Sequence, residues 1–179
     1  MGWLAPASGD EVVRRTLLTA LALLAVIGLS SCAAASSGGL RYADEGNVWC
    51  FESGSYKDAA IGIPVQIHQG GPVTIREVSG EQTGSVKLVK AYVMPVHPEN
   101  RIGSSRWPLE EKWASEWRRA TAASGAMVSP KKSTDLILHI ERTSSAGGSL
   151  KDVVVKYEQD GHQYQADTHT TAQIRKSCG

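Results

Sequence analysis

The chain has 179 residues, 41% of them hydrophobic, with 19 basic side chains against 18 acidic ones and a formal net charge of +1. That near balance leaves no electrostatic footprint for nucleic acid and gives the body no general reason to adhere to anionic lipid along its own surface. Length and composition suit one domain, large enough to bury about two thirds of its unfolded surface without help.

The stretch through Asp10 has no periodic pattern and leads to Arg14 and Arg15. An apolar run follows (Leu17, Leu18, Leu21, Leu23, Leu24, Val26, Ile27) and ends in Leu29-Ser30-Ser31-Cys32. A basic flank, a short apolar middle and small residues ahead of a cut are the parts of a secretory signal peptide. The run from Thr16 to Leu29 is shorter than the ~20 apolar residues of a spanning helix, so it reads as an export-signal helix and not a permanent span. Leu29-Ser30-Ser31-Cys32 resembles the lipobox of bacterial lipoproteins. The resemblance implies that residues 1–31 are removed, that the Cys32 thiol is acylated, and that lipid on Cys32 holds the protein at the extracytoplasmic face of the cell membrane. An ordinary secreted protein cut nearby, or an uncleaved anchor, is the alternative. Arg14-Arg15-Thr16-Leu17-Leu18 also resembles a twin-arginine export signal, although adjacent arginines are common in ordinary signals.

Without Asp10, Glu11, Arg14 and Arg15, which leave with the signal, 17 basic and 16 acidic residues remain. Residues 32–46 read as a flexible tether, because Ala33-Ala34-Ala35-Ser36-Ser37-Gly38-Gly39 is small, uncharged and unable to build a core. Residues 47–179 form the single domain. With Cys32 assigned to lipid, Cys50 and Cys178 are left, and an even remainder in an oxidising compartment reads as one disulfide. The rival readings, two buried thiols or a metal pair, have neither a Cys-x-x-Cys nor clustered histidines behind them.

Order is expected from near Asn47, with Val48, Trp49, Cys50 and Phe51 as a short strand. Ile61, Ile63, Val65 and Ile67 then alternate with Gly62, Pro64 and Gln66, the period of a half-buried strand. Pro64 cannot donate to a ladder and predicts an edge position or an outward-facing amide. Gln69-Gly70-Gly71-Pro72 turns the chain, Val73, Ile75 and Val78 mark a second strand, and the stretch from Ser79-Gly80 to Thr83-Gly84 predicts another turn. From Val86 to Val96 the parity breaks: Val86 and Leu88 share one face, and Val89, Ala91 and Val93 share the other. That pattern predicts a bulge or a strand covered on both faces.

Trp107-Pro108-Leu109-Glu110-Glu111 has the features of a helix start, with Pro in the first turn and two acids where the dipole favours them. Leu109, Trp113, Trp117 and Ala120 recur at helical spacing. This stripe either caps the sheet core or, with Trp107, Trp113 and Trp117, offers an aromatic binding surface for a glycan or a peptide partner. Next, Leu136, Leu138 and Ile140 alternate with Asp135, Ile137, His139 and Glu141, and a Gly/Ser loop covers 144–149. Asp160-Gly161 is the dipeptide that a type I′ hairpin prefers. It predicts Gln159 opposite His162, Tyr157 opposite Tyr164, Val155 opposite Ala166 and Val153 opposite Thr168.

Short strands with frequent turn signals and no βαβ alternation predict a mainly β chain. The expected arrangement is an antiparallel, immunoglobulin-like β-sandwich with one short helical insertion at about 108–120. The body from about Val48 to Ile174 resembles small uncharacterised lipoproteins of Gram-positive bacteria. It does so through the Ala91-Tyr92-Val93-Met94-Pro95-Val96 strand, Trp107-Pro108, Gly125-Ala126 before Pro130, and Asp135-Leu136-Ile137-Leu138. That resemblance implies no activity.

Motifs for chemistry are missing: there is no Gly-x-Ser-x-Gly, Ser-x-x-Lys, His-Glu-x-x-His or phosphate-cradling glycine loop. His68, His97, His139, His162 and His169 are scattered. Asp167 with His169, or His139 with Glu141, offers a Zn²⁺ or Cu²⁺ pair only if strands bring them together. Met94 and His97 hint at copper, but a blue-copper site needs a Cys ligand. The expectation is no cofactor, no metal, no nucleic acid and no catalysis. What remains is a lipid-anchored binding or scaffolding module with an envelope protein or glycan as partner. The alternatives are a ligand-capture component of a transport system and an enzyme with an unrecognised site.

Overall fold

The computed structural model describes residues 38–42 and 46–178. The signal-peptide expectations, including the helix, the twin arginines and Cys32, therefore lie outside the described residues.

Among the described residues twelve strands form two sheets. Their ranges are β1 Leu40–Tyr42, β2 Val48–Glu52, β3 Asp58–Ile67, β4 Val73–Gly84, β5 Val86–Pro95, β6 Ser104–Arg106, β7 Thr121–Ala122, β8 Met127–Val128, β9 Thr134–Arg142, β10 Gly148–Gln159, β11 His162–Asp167 and β12 Thr171–Arg175. A 3-10 turn at Glu111–Trp113 runs into a four-residue helix, α1, at Ala114–Trp117. The first sheet has the order β1-β3-β9-β5-β7, with β6 also on β3; the second has the order β2-β12-β10-β4-β8, with β11 also on β10. All pairings are antiparallel except β2 with β12. The architecture is mainly β and sandwich-like. Leu40, Ile61, Ile63, Leu136, Leu138 and Ile140 of the first sheet share one core with Ile75, Leu150, Val155, Tyr157 and Ile174 of the second.

The β10–β11 hairpin has the predicted register, Gln159↔His162, Tyr157↔Tyr164 and Val155↔Ala166, and the Thr168 amide donates to the Val153 carbonyl at 2.9 Å. Asp160 at φ 51° and Gly161 at φ 78° supply the two positive angles of the turn. The parity break in β5 is a bulge. Leu88 pairs with Ile140 and Lys90 with His139, so Val89 is the extra residue, 43% exposed, and Leu88 and Val93 both reach the core. Pro64 is not on an edge, since β3 is flanked on both sides. The Gly62 amide donates outward to the Gly103 carbonyl, so the Pro64 nitrogen two residues on points the same way, into the gap between β6 and β1.

Two expectations need correction. The stretch from Ser79 to Gly84 is not a turn: β4 continues through it, paired with β10. Gly80 sits there for closeness, because a Cβ would lie 2.8 Å from Leu150 Cδ1 and 3.0 Å from the Lys151 carbonyl oxygen. The tether expected over 32–46 does not hold for residues 38–42, which belong to the described residues. Leu40–Tyr42 pairs with Val65–Ile67, and Leu40 and Tyr42 are buried in the main core. Three strand residues gain their burial from partners far along the chain, and a local composition signal does not register that.

Cys50 and Cys178 are joined by a disulfide with 5.7 Å between Cα atoms. It ties β2, which pairs in parallel with β12, to the chain just past β12.

Tyr42 also carries a testable cost. Its Oη is buried with no hydrogen-bond partner among the described residues. Burial first, and then the nearby Tyr157, push its phenol well above the ordinary tyrosine value. Burial likewise raises Tyr157, and its bond from the Leu40 amide offsets part of this. The folded state thus holds both phenols neutral, whereas the unfolded chain releases their protons near pH 10. Stability is intact below that pH and falls as the pH climbs beyond it, by up to about 1.4 kcal/mol per unit for each tyrosine. Replacing Tyr42 by Phe is expected to leave stability at neutral pH unchanged or raise it by about 1 kcal/mol, since an unpartnered hydroxyl is removed. It should also make the alkaline decline shallower. Urea unfolding at several pH values from neutral to strongly alkaline measures both, and parallel declines in the two proteins would contradict a neutral buried phenol.

Candidate functional site

The outer face of the first sheet is not bare. In β9, Ile137 points away from the main core yet is fully buried, and Met94 in β5 and Ala60 in β3 are buried with it. Apolar residues at these outward positions need a cover, and the segment between β5 and α1 supplies one through Val96, Ile102 and Trp113. Arg101 clips the cover down: its Nη1 lies 2.6 Å from Asp135 Oδ1, and the Ile102 amide donates to Asp135 Oδ2 at 3.3 Å. The Asp135 carboxylate is fully buried, and this charge-assisted bonding is what makes its burial tolerable.

The aromatic residues predicted as a stripe stand on this cover. Trp113 is 4% exposed, so of the two readings of the stripe it takes the one that caps a core and not the binding surface. The helix is shorter than 108–120, and Trp107 comes from the extended chain ahead of it, before a cis Trp107–Pro108 bond. Trp107 stacks on His139 with ring centroids 4.1 Å apart and on Tyr92 at 5.6 Å; Trp117 meets Trp107 edge-on at 5.1 Å and Tyr92 at 4.9 Å. Both rings are half-buried. Sugar stacking needs a free ring face, and much of the Trp107 and Trp117 surface is already committed to neighbours. His139 is held from its other side by Asp58, Nε2 to Oδ1 at 3.1 Å, and Lys90 Nζ lies 5.2 Å from the Tyr92 centroid.

The remaining sequence candidates do not converge. His139 pairs with Asp58 and not with Glu141, while Lys57 takes Glu141 at 3.6 Å. His169 and Asp167 are neighbours at 3.7 Å, with the His169 amide also donating to Asp167 Oδ1 at 2.7 Å, while His68 and His97 are exposed between strands and His162 is exposed at the start of β11. Among the described residues no group of three or more His, Cys, Asp or Glu side chains could hold a metal ion.

A site that sequence reasoning missed is a groove of about 340 Å³ between the end of β3 and the loop before β9. Val65, His68, Arg101, Pro130, Lys131 and Lys132 contribute to its walls. Lys131 and Lys132 are exposed, and no ion pair engages either one among the described residues. The signal available in the sequence was the Lys131-Lys132 doublet after Pro130, which means little until the fold places Arg101 and His68 beside it. A second groove of about 510 Å³ lies along β4, β10 and β11, lined by Arg76, Glu77, Lys156, Tyr157 and Tyr164. Its charges are largely matched in pairs, Arg76 with Glu158 and Lys156 with Glu77.

Among the described residues no helix is long and apolar enough to cross a membrane, which says nothing of strands. Compared with protein-family models and with curated proteins, the chain matches none.

Proposed function

We propose that this chain is a lipid-anchored extracytoplasmic protein, acylated on Cys32 and held at the outer face of the cell membrane. There it acts as a non-catalytic binding or scaffolding module for an envelope protein or glycan. The observation that carries the reading is the fate of the three cysteines. Cys50 and Cys178 are joined to each other, as suits an oxidising compartment, and that leaves Cys32 alone at the end of the export-signal pattern. The absence of catalysis in this reading is supported by how the buried polar groups are used: Asp135 fastens the cover and His139 is clamped between Trp107 and Asp58.

The finer fold is read as immunoglobulin-like. With β1 and β2 taken as one first strand split between the sheets, β1-β3-β9-β5 has the order ABED and β4-β10-β12 the order CFG. The cover, α1, β7 and β8 then form an insertion between the fourth and fifth of these strands. Such a frame names no partner by itself.

Replacing Cys32 by Ala is expected to move the protein from the membrane fraction to the medium, or to leave it at its unprocessed mass. Mass spectrometry of the native protein purified from membranes should find the mature N-terminus at Cys32 with acyl chains attached. An unmodified Cys32 thiol on that material would overturn the proposal.

A further inference from the structure

We infer that the end of the sandwich at which the chain enters the fold faces the anchoring bilayer, with Lys131 and Lys132 against the phosphate groups of anionic lipids. This rests on the acylated Cys32 of the preceding reading and adds an orientation and a lipid class to it.

The length of chain between lipid and fold comes first. The fold takes hold of the backbone at Gly38, which is buried against Tyr157 and Tyr164. The Gly39 amide donates to Gln159 Oε1 at 2.8 Å, and Gln159 Nε2 donates in turn to the carbonyls of Gln69 and Gly71 at 2.8 and 2.9 Å. A Cβ on Gly39 would stand 1.9 Å from the Gln69 carbonyl oxygen, so this close seat is specific to glycine. From Cys32 to Gly38 there are six residue steps, which reach about 20 Å at full extension. The longest strands, β4 and β10, have 12 residues each and run to roughly 40 Å. The leash is shorter than the body, so the point at which the chain enters stays close to the lipid whatever the body does.

Registers show which loops share that end. Leu40 lies opposite Ile67, Val65 and Pro95 both lie opposite Thr134, and Gln159 and Val128 both lie opposite Val73. The turn at 68–72, the loop at 129–133 and the hairpin tip at 160–161 are therefore gathered around the incoming chain. Exposed Glu99, in the loop after β5, and Asp160 stand at this end too, but the groove itself is lined by basic side chains and no acidic one. Lys131 and Lys132 have no acidic partner among the described residues, His68 lies beside them, and Arg101 lines the same groove while bonded to Asp135. Asp160 sits against Gly70 and Gly71, on the turn of the other sheet. Near neutrality of the whole chain conceals this local excess. Each lysine close to an anionic surface strengthens partition roughly five-fold, an effect confined to about a Debye length. The opposite end carries Lys57 and Lys87, near Glu141, and points away from the bilayer.

The test uses the full mature protein purified from its membranes and inserted into vesicles, either phosphatidylglycerol with phosphatidylcholine at about 3:7 or phosphatidylcholine alone. A membrane-impermeant amine reagent is applied, and labelling is read by peptide mass. Relative to Lys57 and Lys87, labelling of Lys131 and Lys132 is expected to fall at least three-fold in the anionic vesicles, and to recover in neutral vesicles or at high salt. Equal ratios in all three conditions, on protein that floats with the vesicles and carries acyl chains on Cys32, would overturn the orientation and leave the anchor standing. Protein that neither floats nor carries acyl chains overturns both.

Discussion

Reducing the Cys50–Cys178 bridge, or replacing both cysteines by serine, is expected to lower the unfolding free energy by about 4 to 5 kcal/mol. The bridged residues are 128 apart in sequence, and a closed loop of that length is worth this much in the chain-entropy account. A domain has only about 5 to 15 kcal/mol of stability in total, so the loss is a large part of it and should lower the melting temperature by roughly 10 to 15 °C. The local geometry says where the damage begins. Among the described strands β2 pairs with β12 alone, through five parallel pairs from Val48↔Thr171 to Glu52↔Arg175, with Val48 60% exposed at its outer end. Phe51, buried and edge-on to Tyr56 at 5.4 Å, and Trp49, packed against the main core, keep the strand attached after reduction, whereas Val48 frays. Hydrogen exchange should therefore quicken most in β2 and β12 and least in the central β9. The slope of unfolding against urea should also steepen, because the open unfolded chain exposes more surface. An unchanged urea midpoint, with both thiols shown free by mass, would refute the stabilising role.

The same bridge shows how far the sequence reached. Its pairing followed from counting cysteines, and the hairpin from Val153 to Thr168 followed from Asp160-Gly161, since a two-residue turn with two positive φ angles admits one register. Local rules were enough in both cases. They failed for β1, where Leu40 and Tyr42 owe their burial to β3 and to Tyr157, 117 residues away from Leu40 by the hydrogen bond that joins them. The Gly80 misreading has the same cause: in a strand that touches Leu150 and Lys151, a glycine means close approach and not a turn. The candidate site divides along this line too. Trp113 and Trp117 were found by spacing and Trp107 by the helix-start pattern beside it, but which of them would be buried depended on Ile137 and Met94, two apolar residues on an outward face. The basic groove depended on Arg101 and Lys131 meeting although they are 30 positions apart in the chain, and no pattern within either segment announces that.

The cover itself is the last point at which a substitution tells two roles apart. Trp113→Ala is expected to cost about 3 to 5 kcal/mol, the range for a large aromatic removed from a packed interior. Trp113 is 4% exposed within the cluster formed by Ala60, Met94, Val96, Ile102 and Ile137, whereas Leu109, Trp117 and Ala120, the other apolar side chains of the segment on this cluster, are only partly buried. The backbone bonds of the short 3-10 turn and helix cannot replace that contact, because so short a helix is not stable alone. The consequence is local before it is global: the cover lifts, Ile137 and Met94 meet water, and near-ultraviolet dichroism from the Trp107, Trp117 and Tyr92 stack fades at a lower temperature than the far-ultraviolet signal of the sheets. Trp117→Ala, at a half-buried ring, should cost less than Trp113→Ala. Removing Trp107 and His139 singly and together should reveal a coupling of about 0.5 to 1.5 kcal/mol from their stacking at 4.1 Å. A Trp113→Ala protein whose thermal unfolding stays within about 0.5 kcal/mol of the wild type, the ordinary range for a surface change, would mean that the ring belongs to an outward-facing patch after all.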